Sequence, residues 1–513
     1  MAVVGAFCVS VMKGACLNAQ FPGKCATCAE VCPYDVYALD AEGQVSVQNF
    51  NACVGCRICS EFCPGNAIRI NSAEPEYITR ALWTFPTVEE IHYKALTGQY
   101  ILRGFGTMGP LPHFDSVAIV PSQLSSPAPR DKYREECKME VVIGEDRCAR
   151  PLHLKLPIVF PAMSFGALSK EAKLALAICA AKMGIATNTG EGGLVPGENA
   201  AANGFADESR TDKRWEPGGY LVIQWSTGRW GVSADYVRAG DAVEVKIGQG
   251  AKPGMGGHLL GKKVTAEIAA VRGVPIGSDA LSPCRYYDVQ SLEDIKRMVA
   301  FLRDVTDYQL PILMKLGPSR PYADVQAAAL AGVDAISIDG AAGGTGASPD
   351  IVTQGVGIPT IACLPPAVRA LKDLGLHRKV KLIALGGIRG GLDAFKALAM
   401  GADAVGFGSA AEIALGCRAC MACHKGECPY GITSQDPRLR ARLDPEEGAK
   451  RLCNFVHACA EELKILTMLS GHDDIRDLGT EDLRALDLNT AAITGLKLIG
   501  YERALPWWDS VAN

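Results

Sequence analysis

Residues 335–349 read Ala-Ile-Ser-Ile-Asp-Gly-Ala-Ala-Gly-Gly-Thr-Gly-Ala-Ser-Pro. A short apolar run, too brief for a helix, gives way at once to an acidic residue and a loop dense in glycine. Runs of this length bounded by turn-forming residues read as strands buried on both faces. Working outward in both directions, the same texture recurs eight times: Ile158–Phe160, Gly184–Thr187, Leu221–Gln224, Val243–Ile247, Ile312–Leu316, Ala335–Ile338, Lys381–Leu385 and Ala404–Phe407. Helix-compatible stretches lie between them at Lys170–Lys182, Leu292–Arg303, Tyr322–Leu330, Pro366–Leu374 and Leu392–Met400. Strand–helix alternation implies parallel strands, and eight is the number that closes a (β/α)8 barrel. What separates a barrel from an open sheet is where the unusual residues fall. PAMSFGALS (161–169), NTGEGG (188–193), QWSTGRWG (224–231), GQGAKPG (248–254), DGAAGGTGASP (339–349), GGIRGG (386–391) and GFGS (406–409) all follow strands directly. A TIM barrel assembles its site from such loops at the C-terminal ends of its strands. The expected fold class is therefore α/β, a TIM barrel over residues 155–435.

The rest of the 513-residue chain flanks that barrel, and its length suits more than one domain. Residues 1–72 are cysteine-rich. Residues 73–154 form a connector leading into the barrel, punctuated by Pro75, Pro86, Pro110, Pro112, Pro121, Pro127 and Pro129. Residues 436–513 are more polar, carry the acidic stretch Asp444 to Glu447, and read as helices packed on the barrel exterior. Hydrophobic residues at 48% allow a large core, and a net charge of −4 gives no reason to expect nucleic acid as partner. No apolar run reaches the length of a membrane span. The apolar start, Met1 to Val11, lacks the basic region and cleavage site of a signal peptide.

Nine of the 20 cysteines lie within the first 63 residues and four between 417 and 428. A disulfide scaffold would be short, so clustered cysteines in this long chain point to metal ligation in a reducing, cytoplasmic setting. Cys53, Cys56, Cys59 and Cys63-Pro64 form a C-x2-C-x2-C-x3-C-P run. Three closely spaced thiolates grip one iron–sulfur cube while the fourth reaches a neighbouring one. Zinc needs only two pairs and leaves the trailing Cys-Pro idle. The upstream run, Cys25, Cys28 and Cys32-Pro33, has Pro22 where a first cysteine is due, with Cys16 the nearest substitute and Cys8 the next. Residues 25–63 resemble two-cluster bacterial ferredoxins, an α+β fold carrying two 4Fe–4S clusters. By that analogy one cluster takes Cys32, Cys53, Cys56 and Cys59, and the other Cys25, Cys28, Cys63 and Cys16.

PAMSFGALSKEA (161–172), NTGEGG (188–193), STGRWGVSADY (226–236), KIGQGAKPGMGG (246–257), GGTGASP (343–349) and the cysteine run from 417 resemble, in order, the FMN domain of glutamate synthase over roughly residues 130–435. The resemblance is to the archaeal-type synthase core, in which a ferredoxin segment precedes the barrel. It implies FMN, with small residues Ala162, Met163, Ser164 and Gly166 against the ring, and Gln224 and Lys315 near its polar edge. It places Gly343, Gly344, Gly386, Gly387, Gly408 and Ser409 in the glycine loops, the last four suited to the phosphate. It also implies that Lys252, Gln249 and Arg272 bind a dicarboxylic keto acid and that Glu191 attends the reacting imine. Read without that resemblance, Arg272 is a helix-surface ion pair. Cys417, Cys423 and Cys428-Pro429 match the family's 3Fe–4S signature; Cys420 is an addition that permits a 4Fe–4S cluster.

The implied activity is reduction of 2-iminoglutarate, from 2-oxoglutarate and ammonia, to L-glutamate. Separate glutaminase and β-helix subunits, and an electron-donor protein or ferredoxin, are the implied partners. Met255, His258 and Leu260 depart from the larger enzymes and resemble a sub-family with GMGGH loops, so an amine such as methylamine is an alternative substrate; an electron-relay subunit is another reading. Gly104-Phe-Gly106-Thr-Met-Gly109 spells a dinucleotide fingerprint, but Pro110 and Pro112 follow in place of a helix, so it reads as a loop.

Overall fold

A computed structural model describes residues 7–72, 84–124, 128–203 and 218–501. Residues 1–6 of the apolar start, and Pro75 and Pro127 of the connector, lie outside the described residues. Eight parallel strands close into a barrel: β1 Ile158–Val159, β2 Ala186–Asn188, β3 Tyr220–Trp225, β4 Ala242–Lys246, β5 Ile312–Leu316, β6 Ala335–Asp339, β7 Lys381–Leu385 and β8 Ala404–Gly406. Each pairs with its sequence neighbour, and β8 returns to β1 through Val405 opposite Ile158. This is the expected TIM barrel.

Side chains alternate across each strand. In β4, Glu244 and Lys246 point inward among apolar neighbours, and all five residues of the strand are buried. Glu244 accepts from the Asn188 amide at 2.9 Å, the Gln224 amide at 2.8 Å and the Ser337 hydroxyl at 3.1 Å, joining four strands across the interior. Below that layer the hairpin Val141–Ile143/Leu152–Leu154 inserts Ile143 and Leu152 beside Val159, Leu313 and Ile383.

Two local readings are corrected. The helix expected at Pro366 starts six residues earlier and spans Thr360–Asp373, with Pro365 and Pro366 inside it. Ile361, Cys363 and Leu364 are fully buried, and that burial outweighs the hydrogen bonds the prolines cannot make. The loop 339–349 is half strand: Thr345–Pro349 pairs antiparallel with Leu102–Phe105 of the connector. The connector thus lies across the barrel mouth, a contact invisible to local pattern.

The helix Pro445–Leu469 packs on Lys170–Met183 and Gly391–Ala399. In the N-terminal segment, Phe7–Val11 pairs antiparallel with Ile68–Ser72 around the short helices Thr27–Val31 and Ile58–Glu61. Among the described residues no helix is long and apolar enough to cross a membrane.

Candidate active site and cysteine clusters

The C-terminal ends of the strands surround a cavity of about 560 Å³, within the range of small-molecule and cofactor sites. At one side stands an ionic group. The Glu191 carboxylate lies 3.1 Å from the Lys246 ammonium and accepts from the Ser282 hydroxyl at 3.1 Å. Lys246 also donates to the Gln249 side-chain oxygen at 2.9 Å. A side chain on Gly257 would strike the carboxylate, since its Cβ would sit 1.6 Å from Glu191 Oε1. Burial works to raise the Glu191 pKa, but Lys246, Lys252 and Arg272 together hold it down to about 2. Lys252 donates to the Ala347 carbonyl at 2.7 Å. Burial, then the charge of Lys246, lowers its pKa to about 8 against the pull of Glu191.

Glu191, Gln249 and Lys252 all line this cavity, whereas Arg272 does not. Arg272 is 3% exposed and donates to the Phe165 carbonyl at 2.6 Å. It is no surface ion pair, and it stands behind Glu191, whose charge it feels, and not at the cavity wall. Lys246 lines the same wall without having been singled out in the sequence, and so does His258, noted there only as a departure from the larger enzymes. The signal for Lys246 was available: Glu244 and Lys246 are the two charged residues at alternate positions of an otherwise apolar strand.

Ala162, Met163, Ser164, Gln224, Lys315, Gly343, Gly344, Gly386, Gly387, Gly408 and Ser409 all line the cavity. Gly166 does not; its φ is +100°, and a Cβ there would lie 2.7 Å from Leu259. The Gln224 amide nitrogen is taken by Glu244, leaving its oxygen to accept from a ligand. Lys315 sits 3.6 Å from Asp339, which also accepts from the Gly250 amide at 2.9 Å. Gly386 and Gly387 have φ of 89° and 83°, which glycine adopts without steric cost. A Cβ on Gly387 would come within 2.8 Å of Ala342, and one on Gly344 within 2.6 Å of the Ser409 hydroxyl. A glycine-lined cradle from which side chains are excluded fits a phosphate-bearing flavin. Missed by the sequence reading are His113, whose ring nitrogen lies 2.8 Å from the Gly387 carbonyl, and Arg389, held by Asp115 and Asp393.

Cys53, Cys56 and Cys59 are buried in the N-terminal core, with Cys28, Cys32 and Cys63 packed on it. Cys32 lies within the electrostatic reach of Cys53, Cys56 and Cys59, and Cys16 and Cys25 within that of Cys28. Cys8 is exposed on the first strand, opposite Asn71. Cys417, Cys420, Cys423 and Cys428 share one another's fields. Burial raises the thiol pKa of Cys56, Cys417 and Cys423, so each would ionise only with a positive centre beside it. Among the described residues no three cysteine sulfurs come within 4.8 Å of one another. Tetrahedral zinc draws its sulfurs to roughly 3.8 Å apart, and an iron–sulfur cube holds them wider. The C-x2-C-x2-C-x3-C-P spacing of Cys53, Cys56, Cys59 and Cys63 suits an iron–sulfur cube.

Cys423 also lines the cavity, beside Glu412. Burial raises the Glu412 pKa to about 7, opposed by Lys263. The fingerprint-like Gly104 belongs here: a Cβ on it would lie 2.5 Å from that of Cys423, so its glycine serves close approach to the cysteine loop.

Residues 122–473 match the family described as "Conserved region in glutamate synthase", and residues 47–69 match "4Fe-4S binding domain". An archaeal-type glutamate synthase (NADPH) of Dehalococcoides mccartyi is 37% identical over 496 residues, 93% of this chain and 94% of its own. A glutamate synthase large subunit-like protein of Rhizobium meliloti is 41% identical over 430 residues, 81% of this chain and 93% of that protein. Among solved structures, a mandelate oxidase mutant with a monooxide FMN adduct aligns over 71% of this chain and 86% of that one, at 20% identity and a TM-score of 0.43. With the conserved region and a relative of matching length both covering most of the chain, this protein belongs to the glutamate synthase family of oxidoreductases.

Proposed function

We propose that this chain forms L-glutamate by reducing 2-iminoglutarate, the condensation product of 2-oxoglutarate and ammonia. The observation that carries the reading is Glu191: a carboxylate kept anionic by three cations, facing the same cavity as the side-chain-free cradle after β7 and β8. FMN bound in that cradle would supply the hydride. Ala162, Met163 and Ser164, with Gly166 behind them, leave room for its ring; Gln224 and Lys315 meet its polar edge. Gly343 and Gly344, with Gly386, Gly387, Gly408 and Ser409 at the phosphate end, complete the cradle.

Lys252 and Gln249 hold the keto acid, and the Glu191 charge draws the ammonium or iminium group. Arg272 acts through Glu191. Residues 1–72 serve as the electron-input module, with one 4Fe–4S cluster on Cys32, Cys53, Cys56 and Cys59 and another on Cys25, Cys28, Cys63 and Cys16. The nearness of Cys16 to Cys28 favours it over Cys8. A third cluster, 3Fe–4S or 4Fe–4S, sits on the 417–428 loop. Ammonia and electrons come from partners: a separate glutaminase, a β-helix subunit and an electron-donor protein. The GxGxxG run supports this, being strand and loop against Thr345–Pro349 and not a dinucleotide turn.

The test is product analysis of the anaerobic protein given 2-oxoglutarate, ammonia and reduced ferredoxin. L-Glutamate is expected. N-Methylglutamate formed preferentially from methylamine would overturn the choice of amine, and electron transfer without any amino-acid product would leave a relay subunit.

A further inference from the structure

Cys417, Cys423 and Cys428 satisfy the family's three-cysteine signature by themselves, which leaves Cys420 to be explained. The backbone around it repeats that of the N-terminal run. In Cys53-Val-Gly-Cys56-Arg-Ile-Cys59, Gly55 and Arg57 are left-handed, with φ of 70° and 63°. In Cys417-Arg-Ala-Cys420-Met-Ala-Cys423 the residues at the same two offsets, Ala419 and Met421, are left-handed, with φ of 52° and 58°. That conformation is strained for a non-glycine residue, whose Cβ crowds the following carbonyl. Two such residues on either side of one cysteine are kept only where the surroundings over-determine the turn. The amide donors repeat as well. Gly55 and Ile58 direct their N–H groups at the sulfurs of Cys53 and Cys56, as Ala419 and Ala422 do at those of Cys417 and Cys420. The Ala419 amide donates to Cys417 Sγ at 3.3 Å.

The loop also faces two ways. Cys420 and Ala422 pack on the N-terminal core with Cys56, while Cys423 lines the cavity. The junction is tied by the Tyr430 hydroxyl, 3.2 Å from the Cys56 carbonyl and 2.8 Å from Glu61, and by Arg418, 2.9 Å from Glu61. We propose that the 417–428 loop is a second copy of the 53–59 cradle and binds a 4Fe–4S cube through Cys417, Cys420, Cys423 and Cys428, with Cys420 at the corner facing Cys56. The assignment rests on reading this loop as a cluster site, and is independent of which keto acid is reduced.

The full chain, purified anaerobically, should hold about twelve iron atoms and, when oxidised, show no 3Fe–4S electron paramagnetic signal, because an oxidised 4Fe–4S cube is diamagnetic. Cys420→Ala should lose about one iron and gain that signal at about one spin per chain. A wild-type protein that already shows about one such spin, with the signal unchanged in Cys420→Ala, would overturn the assignment. If Cys420→Ala fails to fold, the wild-type iron count and Mössbauer spectrum decide alone, eleven iron atoms or a 3Fe component counting against it. A diamagnetic twelve-iron protein that forms no glutamate would support the cluster and sink only the proposed reaction.

Discussion

Three lysines are buried around the cavity, and they differ in what they face. Lys246 and Lys315 stand 3.1 Å and 3.6 Å from the carboxylates of Glu191 and Asp339. Lys252 has the Ala347 carbonyl as its hydrogen-bond acceptor. With a pKa near 8, Lys252 is protonated at neutral pH yet able to release its proton, whereas Glu191, near 2, stays an anion and cannot donate. We therefore propose Lys252, which lines the cavity, as the proton donor to the reacting keto or imino group. A lysine is charged below its pKa, so turnover should fall as pH rises past about 8. Lys252→Met should abolish that limb and lower kcat/KM by about 100-fold, the usual scale for a general acid. Rate profiles across the alkaline range check this; a limb that persists in the variant would remove Lys252 from the role. Arg272→Ala should change the KM for the keto acid by less than about tenfold, under about 1.4 kcal/mol, since Arg272 does not line the cavity. A larger loss of keto-acid affinity would restore it as a direct ligand.

At the scale of elements, the loop after β7 is sensitive to a single atom. Gly387→Ala adds a Cβ within 2.8 Å of Ala342, at a residue with φ of 83°. The loop has little freedom to yield, because His113 binds the Gly387 carbonyl and Thr360 donates to the Gly386 carbonyl at 2.6 Å. Flavin content per chain should drop severalfold in this variant while the iron content stays unchanged, and full flavin occupancy would show that the loop does not hold the phosphate. The helix Pro445–Leu469 offers a contrast. Its Asp444 N-cap accepts from the Glu447 amide at 2.9 Å, with Pro445 at the first helical position. Asp444→Ala should cost about 1 kcal/mol of stability and leave flavin content untouched, as thermal unfolding would report. Asp-Pro-Glu-Glu is a start signal legible in the sequence, although it was read there only as an acidic stretch. The early start of Thr360–Asp373 was not legible, because its prolines argue locally for a later start and only the burial of Ile361 and Leu364 reverses that.

For the whole molecule, the cysteine sets form a line. The N-terminal core meets the 417–428 loop at Cys56 and Cys420, and that loop meets the cavity at Cys423. We propose that electrons entering through the N-terminal core pass along this line to the flavin site. Cys56→Ser should abolish turnover driven by an external donor, while a chemically pre-reduced enzyme still completes one turnover with 2-oxoglutarate and ammonia. Cys423→Ser should in addition lower flavin retention, because its loop shares the cavity wall. Full donor-driven turnover in Cys56→Ser would make the N-terminal segment an appendage.

The sequence by itself determined the elements that depend on near neighbours. Eight apolar runs, seven of them followed by a glycine-rich loop, are short-range facts, and burial of such runs on both faces leaves few architectures beside a barrel. The cysteine spacings are equally local, since three ligands on one turn must be close in the chain. The tertiary structure alone decided what joins distant segments. Tyr430 and Cys56 meet across 374 positions and His113 and Gly387 across 274, and nothing in either segment's pattern specifies its partner. The same holds for Arg272, whose place at the end of a helix suits solvent or core equally until Phe165 and Glu191 close over it. Periodicity records which side of an element is buried, but what lies against that side is set by the packing of the whole chain, and there the charges of the cavity acquire their partners.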